Sequence, residues 1–269
     1  MSADVPAPAA AMQEWLDRWD AQQEAHAPDR PERFDVLADL VESATAGRSD
    51  PLVLDLACGP GSVTRHLLDR LADSRPGLQI VALDVDPVLL QIAAGTIGHE
   101  PAVRLVEADL READWAAAAA IGPTAGGRQF DAIVTATALH WLPPADLERL
   151  YRDLAQLTRP GGLFADGDHI PLDGVPDLRR LTEEIDERQS APRLAQEGVY
   201  DWEGWWQALE KDPAFTESLA RRRRRFSVTH PAEFIPPESW HIERLVRGGF
   251  SEAAVVWRRY GDAVVTAIR

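Results

Sequence analysis

The feature that most constrains the fold is an alternation of short apolar runs with helical segments between residues 52 and 166. The apolar runs predict five strands, at 52–56, 78–84, 103–106, 130–135 and 162–166. Apolar residues at helical spacing predict the intervening helices, at 62–73, 87–97 and 145–157. Nearly continuous apolar strands separated by helices are typical of a parallel sheet that is covered on both faces, and right-handed crossovers make such an α/β sheet doubly wound.

Composition excludes several classes of function. The 269 residues carry a formal net charge of −16, which repels phosphates, so no nucleic-acid partner is expected. No apolar stretch of about 18 residues occurs, so no membrane span is expected. The N-terminus lacks a basic, apolar leader, and we therefore expect a cytoplasmic protein. No HExxH motif or paired Cys/His spacing is present, so no metal is expected.

The glycine turn after the first strand is the most informative motif. Gly59 and Gly61 let the backbone approach a ligand closely, and the helix that begins at Ser62 offers free N–H groups. A dinucleotide-binding turn would have a third glycine where Thr64 stands, and a pyrophosphate would gain nothing from the carboxylate of Asp55. The pattern therefore favours a ligand that carries an ammonium group and no phosphate.

Acidic residues follow the next two strands. Asp84 closes the second strand, where its carboxylate can accept hydrogen bonds from both hydroxyls of a ribose. Asp86 competes for this role, but Asp86-Pro87 matches a helix N-cap followed by the first helical residue. Asp109 follows the third strand and can accept from an adenine amino group, with Leu110 against the ring. These positions predict an adenosine-binding edge.

In combination, these motifs resemble the class I S-adenosylmethionine-dependent methyltransferases. The matching stretches are DLACGPG (55–61), the acid at 84, EADL (107–110), FDAIVTATALHWL (130–142), RPGG (159–162) and two apolar runs around Gly261-Asp262 that predict a terminal β-hairpin. The resemblance implies a Rossmann-like sheet of seven strands in the order 3-2-1-4-5-7-6, with strand 7 antiparallel. The ALHWL stretch resembles the branch that includes trans-aconitate methyltransferase-like enzymes, which implies a small-molecule acceptor.

The resemblance also implies the contacts of the cofactor S-adenosylmethionine. Residues expected to bind it are Asp55, Ala57, Gly59 and Gly61 at the methionine part, Asp84 and Val85 at the ribose, Asp109 and Leu110 at the adenine, and Thr135 and Ala136 after the fourth strand. Many relatives have glycine at position 57 or 62, whereas this chain has the small residues Ala57 and Ser62. We therefore expect the pocket to be preserved.

The same sequence segments predict the domain organisation. The chain is expected to have an Ala- and Pro-rich disordered tail and then one methyltransferase domain, 12–269. Its expected parts are the tail (1–11), N-terminal helices (12–49), a cofactor-binding core (50–169), a helical lid insert (170–237), and a helix with the hairpin (238–269).

Methyl transfer needs alignment more than acid–base chemistry, because the leaving group is already activated. A carboxylate acceptor needs no base, whereas a hydroxyl or amine would benefit from one. His140, after the fourth strand, is the first candidate for a catalytic base, and His169 is the second. Tryptophans at 15, 19, 202, 205 and 206 pack in the core or wall an acceptor pocket. The arginines at 221–225 form a solvated face, or they pair with an acidic acceptor or with acids of this chain.

Two other functions compete with this interpretation. An NAD(P)-dependent oxidoreductase on a similar sheet would need a Tyr-x-x-x-Lys pair, but Ala155 stands four residues after Tyr151, and the terminal hairpin also argues against this class. A module that binds S-adenosylmethionine without turnover, as a scaffold or regulator, stays open.

Overall fold

The computed structural model describes residues 9–27, 29–120, 128–196, 198–226 and 234–269. Within these ranges the helices are α1 (Ala9–His26), α2 (Arg30–Ala44), α3 (Ser62–Leu71), α4 (Pro87–Thr96), α5 (Trp115–Ala119), α6 (Pro144–Leu157), α7 (Pro176–Leu194), α8 (Trp202–Leu209), α9 (Thr216–Arg225) and α10 (Glu238–Gly248). The strands are β1 (Leu52–Leu56), β2 (Gln79–Asp84), β3 (Val103–Glu107), β4 (Phe130–Ala136), β5 (Thr158–His169), β6 (Glu252–Arg259) and β7 (Asp262–Ile268).

The seven strands form one sheet in the order β3-β2-β1-β4-β5-β7-β6. Strands β1 to β5 pair in parallel, and β7 runs antiparallel to both β5 and β6. The β5–β7 register runs from Leu163 opposite Ile268 to His169 opposite Asp262. The predicted strand order and the predicted antiparallel strand 7 are confirmed.

Helices cover both faces of the sheet, which explains why all five residues of β1 are buried. Alternate residues of β1 belong to different apolar clusters. Leu54 belongs to a cluster with Leu150 of α6 and Leu245 of α10. Val53 belongs to a second cluster, with Leu37 and other residues of α2 and α3. The sheet is therefore held between two separate layers of helices.

The insert after β5 forms helices α7, α8 and α9. A third apolar cluster joins α8 and the residues around the start of α9 to α1 and α4, and it includes Trp15, Trp205 and Phe215. The ring of Trp15 lies edge-on to those of Trp205 and Phe215, with centroids 5.8 Å apart in each pair. This cluster fixes the insert above one side of the sheet's carboxyl edge.

The expected disordered tail needs one correction. Helix α1 begins at Ala9, inside the segment 1–11, because Met12 and the residues after it bury an apolar face against the core. Residues 1–8 lie outside the described part of the chain. No helix in the described ranges is both long enough and apolar enough to cross a membrane.

Candidate functional site

A cavity of about 760 Å³ opens at the carboxyl ends of the central strands. Its walls come from α1 and α2, from the loops after β1, β2, β3 and β4, and from α8 and α9. Small-molecule sites have volumes of roughly 300–1,000 Å³, and doubly wound sheets bind ligands at this edge. The cavity is therefore the candidate active site.

The glycine turn forms one end of the cavity, and Gly59 and Gly61 have different structural roles. A Cβ atom at Gly59 would meet nothing closer than 3.9 Å, and the residue lines the cavity with a φ of 55°. A Cβ atom at Gly61 would lie 2.5 Å from Cδ1 of Ile97, so this glycine allows α3 to pack closely on the end of α4. Ala57 also has a positive φ, of 55°, which is strained for a residue with a side chain.

Asp55 is buried at the end of β1 and lines the cavity. Its Oδ2 accepts a hydrogen bond from the Thr64 hydroxyl at 2.6 Å, whereas its Oδ1 is buried without a partner among the described residues. Burial raises the pKa of Asp55 to about 7. A positively charged ligand group would both satisfy Oδ1 and favour the ionised carboxylate.

Asp84 joins the end of β2 to the glycine turn. Its Oδ2 accepts from the backbone N–H of Gly59, and its Oδ1 accepts from that of Asp86, each at 2.8 Å. Burial raises the pKa of Asp84 to about 6. Each carboxylate oxygen retains a further lone pair, so Asp84 can still accept hydrogen bonds from a ligand. Asp86 itself caps α4, because its side chain accepts from the N–H of Val88.

Asp109 also lines the cavity, but Arg111 already engages it. The guanidinium of Arg111 donates to both carboxylate oxygens of Asp109 at 2.7–3.2 Å. Burial alone would raise the pKa of Asp109, but the hydrogen bonds and charge of Arg111 lower it below its ordinary value. The apolar side chains of Val85 and Leu110 complete this end of the cavity.

The structure brings most of the predicted contacts together. The predicted residues that line the cavity are Asp55, Ala57, Gly59, Asp84, Val85, Asp109, Leu110 and Ala136. Gly61, Thr135 and His140 do not belong to the lining, so their expected roles stay predictions. Gly61 packs against Ile97, and Thr135 is fully buried beside Asp166 in the sheet register.

His140 lies next to the cavity wall rather than in it. Its Nδ1 is 2.9 Å from Oδ2 of Asp168, and its ring centroid is 5.1 Å from that of Trp141, which does line the cavity. Burial would raise the pKa of Asp168, but the charges of His140 and Arg33 hold it below its ordinary value. The pair keeps a negative carboxylate on one ring nitrogen, which fixes the orientation of the imidazole.

His169 lies apart from the candidate active site. It lines a second cavity of about 380 Å³, between the end of α1, helix α7 and the β6–β7 turn. β5 extends to His169 and pairs it with Asp262 at the start of β7, and a role for His169 as a second base stays a prediction.

Two arginines and a threonine at the wall were missed by sequence reasoning. Arg30 is 6% exposed and lines the cavity, and Arg33 is 1% exposed. Arg33 donates to the Thr137 hydroxyl at 2.9 Å, and Thr137 belongs to the lining. Thr137 also has a φ of 55°, which is unusual for a β-branched residue.

The insert closes the cavity with aromatic and basic side chains. Trp19, Trp202 and Trp206 line it, whereas Trp15 and Trp205 pack in the apolar cluster below. The arginine run pairs with acids of this chain: Nε of Arg222 lies 2.6 Å from Oδ2 of Asp86, and Arg221 and Arg225 both pair with Glu107. The guanidinium of Arg222 also lies 3.8 Å above the ring of Trp206. These contacts tie α9 to the ends of β2 and β3.

Comparison with known proteins agrees with this geometry. A family model described as a methyltransferase domain matches residues 53–162. The malonyl-[acyl-carrier protein] O-methyltransferase of Pseudescherichia vulneris is 29% identical over 237 residues, which cover 85% of this chain and 84% of that protein. The trans-aconitate 2-methyltransferase of Azoarcus sp. (strain BH72) is 33% identical over 151 residues, which cover 55% of this chain and 49% of that protein.

A solved structure shows the same fold. The crystal structure of human N-acetylserotonin methyltransferase in complex with S-adenosylmethionine has a TM-score of 0.50 to this chain at 15% identity. The match covers 94% of this chain and 56% of that protein, so this chain spans little more than half of its length.

Proposed function

Because this chain belongs to the class I S-adenosylmethionine-dependent methyltransferases, we propose that it transfers the cofactor's methyl group to an oxygen atom, of a carboxylate or a hydroxyl, on a small-molecule acceptor. The observation that carries the proposal is the unpartnered, buried Oδ1 of Asp55 in the wall of a cavity that continues from the glycine turn to the tryptophans of the insert. The cavity thus has one end suited to a cation and another that is large and apolar.

The residues of the first end fit S-adenosylmethionine. Asp55 offers a carboxylate oxygen to the ammonium group, and Gly59 leaves open space beside it. Asp84 retains lone pairs for the ribose hydroxyls. Val85 and Leu110 offer apolar contacts to the adenine ring. Asp109 is less suited to the adenine amino group than the sequence suggests, because Arg111 already engages both of its oxygens.

S-adenosylmethionine, when bound, supplies a methyl group on a positively charged sulfur, which leaves as a neutral thioether. The chain's own residues have to align the acceptor and exclude water. Trp202 and Trp206 of the insert and Trp19 of α1 line one side of the cavity, and Ala136 and Thr137 line it after β4. Alignment of this kind can supply roughly 7–11 kcal/mol of the barrier reduction.

A base is needed only when the acceptor is a hydroxyl. In that case His140 is the proposed base, because Asp168 holds its Nδ1 and so orients the imidazole next to the cavity. Since His140 lies next to the lining, this role requires a movement of the turn 139–141 towards the acceptor. A carboxylate acceptor needs no such movement.

Calorimetry with S-adenosylmethionine, S-adenosylhomocysteine and NAD tests the cofactor assignment. We expect micromolar binding of the first two and none of NAD. A radiolabelled methyl-transfer screen against small carboxylic acids, phenols and amines then tests the reaction. Binding without transfer to any acceptor would favour the regulatory or scaffold module, and preferential binding of NAD would refute the proposal.

A further inference from the structure

Asp55, Asp84 and Asp109 follow one another along the carboxyl edge of the sheet, and all of them line the cavity. Oδ2 of Asp84 accepts from the backbone N–H of Gly59, in the turn that begins after Asp55 and β1. The backbone carbonyl of Asp84 accepts from the N–H of Ala108 at 2.9 Å, which places Asp109 on its other side. Asp84 therefore stands between Asp55 and Asp109, in agreement with the strand order β3-β2-β1.

The carboxylates differ in how far the protein itself occupies their oxygens, each of which has two lone pairs. Oδ1 of Asp55 has no partner among the described residues, and each oxygen of Asp84 accepts one N–H. Each oxygen of Asp109 accepts two contacts, and all of them come from Arg111. Oδ1 accepts from the backbone N–H and from Nε at 2.9 Å each, and Oδ2 accepts from Nη2 at 2.7 Å and from the same Nε at 3.2 Å. Arg111 therefore takes the acceptor capacity of Asp109 before a ligand binds.

The turn that carries Arg111 is held in place by α6. Nη2 of Arg149, on that helix, donates to the backbone carbonyls of Leu110 at 3.1 Å and of Arg111 at 3.0 Å. The ionised form of Asp109 is also favoured without a ligand. Burial alone would raise its pKa, but the hydrogen bonds and charge of Arg111, with the charge of Arg225, lower the pKa below its ordinary value. The contact between Asp109 and Arg111 is therefore a fixed part of the cavity wall.

In a bound S-adenosylmethionine, an ammonium group at Asp55 and a ribose at Asp84 direct the purine towards Asp109 and Leu110. We infer that Arg111 is a specificity-determining residue that keeps Asp109 from accepting the 6-amino group of the purine, so that the site binds a purine without this group as well as it binds adenine. The apolar side chain of Leu110 holds the ring instead. This inference rests on the proposed function and specifies which analogues of the cofactor the site takes.

The test compares two ligands on the full chain by calorimetry. One is S-adenosylhomocysteine, and the other is its analogue in which a hydrogen atom replaces the 6-amino group. The analogue keeps all the ring nitrogens, so the amino group alone differs. We expect the two affinities to agree within about threefold, because no charge-assisted hydrogen bond is lost. An amino group bound to the Asp109 carboxylate would make S-adenosylhomocysteine bind at least about tenfold more tightly than the analogue, and this result would overturn the inference.

Two arginine variants separate the role of Arg111 from general effects of charge. Arg111→Met releases Oδ2 of Asp109 as an acceptor, so S-adenosylhomocysteine should then bind at least about tenfold more tightly than the analogue. Arg70→Met is the matched control, because Arg70 pairs with Asp39, is 43% exposed against 41% for Arg111, and lies outside the lining. It should leave the ratio of the two affinities unchanged. Equal affinities in Arg111→Met would refute the role of Arg111, and should this variant fail to fold, the comparison on the unaltered chain still decides.

The failure of this inference and the failure of the proposed function give different results. If neither ligand binds to the unaltered chain, the proposed function is refuted, and this inference with it. If S-adenosylhomocysteine binds and is clearly preferred to the analogue, this inference alone is refuted, and the cofactor assignment is retained. Methyl transfer from S-adenosylmethionine, measured in the acceptor screen, tests the proposed function independently of the purine.

Discussion

Replacement of Asp55 by asparagine should stabilise the ligand-free protein at and above pH 7, although it removes a side chain that we assign to the cofactor. Burial raises the pKa of this carboxyl from its ordinary value of 3.8 to about 7. Because the pKa is higher in the folded state than in the unfolded state, the folded protein favours the protonated form. The contribution of Asp55 to stability is therefore complete below about pH 4 and is lost as the pH rises to about 7.

The size of the effect follows from the two pKa values. They differ by about three pH units, and one unit corresponds to about 1.4 kcal/mol, so the ionised carboxylate costs about 4 kcal/mol above pH 7. At pH 5 Asp55 is already ionised in the unfolded chain but still protonated in the folded protein. Roughly one third of the free-energy cost is therefore present at this pH. Asparagine does not titrate, and its amide oxygen can still accept from Thr64. Its amide group facing the cavity costs about 1–3 kcal/mol at every pH.

The assay is urea unfolding of Asp55→Asn and of the unaltered chain from pH 5 to pH 8. The difference between their unfolding free energies should grow by about 3 kcal/mol in favour of the variant over this range. Asp39→Asn is the control for the loss of one negative charge, because the Asp39 side chain is 66% exposed on α2. A gain that grows with pH in Asp55→Asn and not in Asp39→Asn would assign the effect to the buried carboxyl.

A difference that stays constant between pH 5 and pH 8 would refute the reasoning, since Asp55 would then ionise in the folded protein as easily as in water. Saturating S-adenosylmethionine gives a second readout. Its positive charges favour the ionised carboxylate, so the ligand should stabilise the unaltered chain more than the variant. Equal stabilisation of both would remove Asp55 from the cofactor site.

Three further substitutions test other parts of the site. Asp84→Ala should weaken S-adenosylmethionine binding at least about tenfold by calorimetry, because the ribose contact and the tie to Gly59 are both lost; an unchanged affinity would remove the ribose role. Gly61→Ala should lower the unfolding free energy by about 2 kcal/mol or more, because its Cβ would lie 2.5 Å from Cδ1 of Ile97 and its φ is 97°. Urea unfolding measures this loss, and a neutral effect would show that α4 can shift. His140→Ala should abolish turnover with a hydroxyl acceptor and leave cofactor binding intact, whereas full activity in the methyl-transfer assay would reduce His140 to a packing role.

The sheet could be predicted from the sequence because buried parallel strands are apolar along their whole length. β1 and β4 illustrate this, since every residue of β1 and most of β4 are buried. The length of β5 could not be predicted in the same way. Residues 167–169 extend the strand beyond its predicted end because they pair with the antiparallel β7, and local apolar patterns do not report such pairing.

The candidate site was predictable where the chemistry is local in sequence. Asp55 and Asp84 stand next to the glycine turn or at a strand end, so the pattern itself identifies them. Arg30 and Arg33 share a helical face with the buried Phe34 and Leu37, and this spacing was the one available indication of their burial. Thr137 had none, because a positive φ at a β-branched residue arises from the surrounding structure.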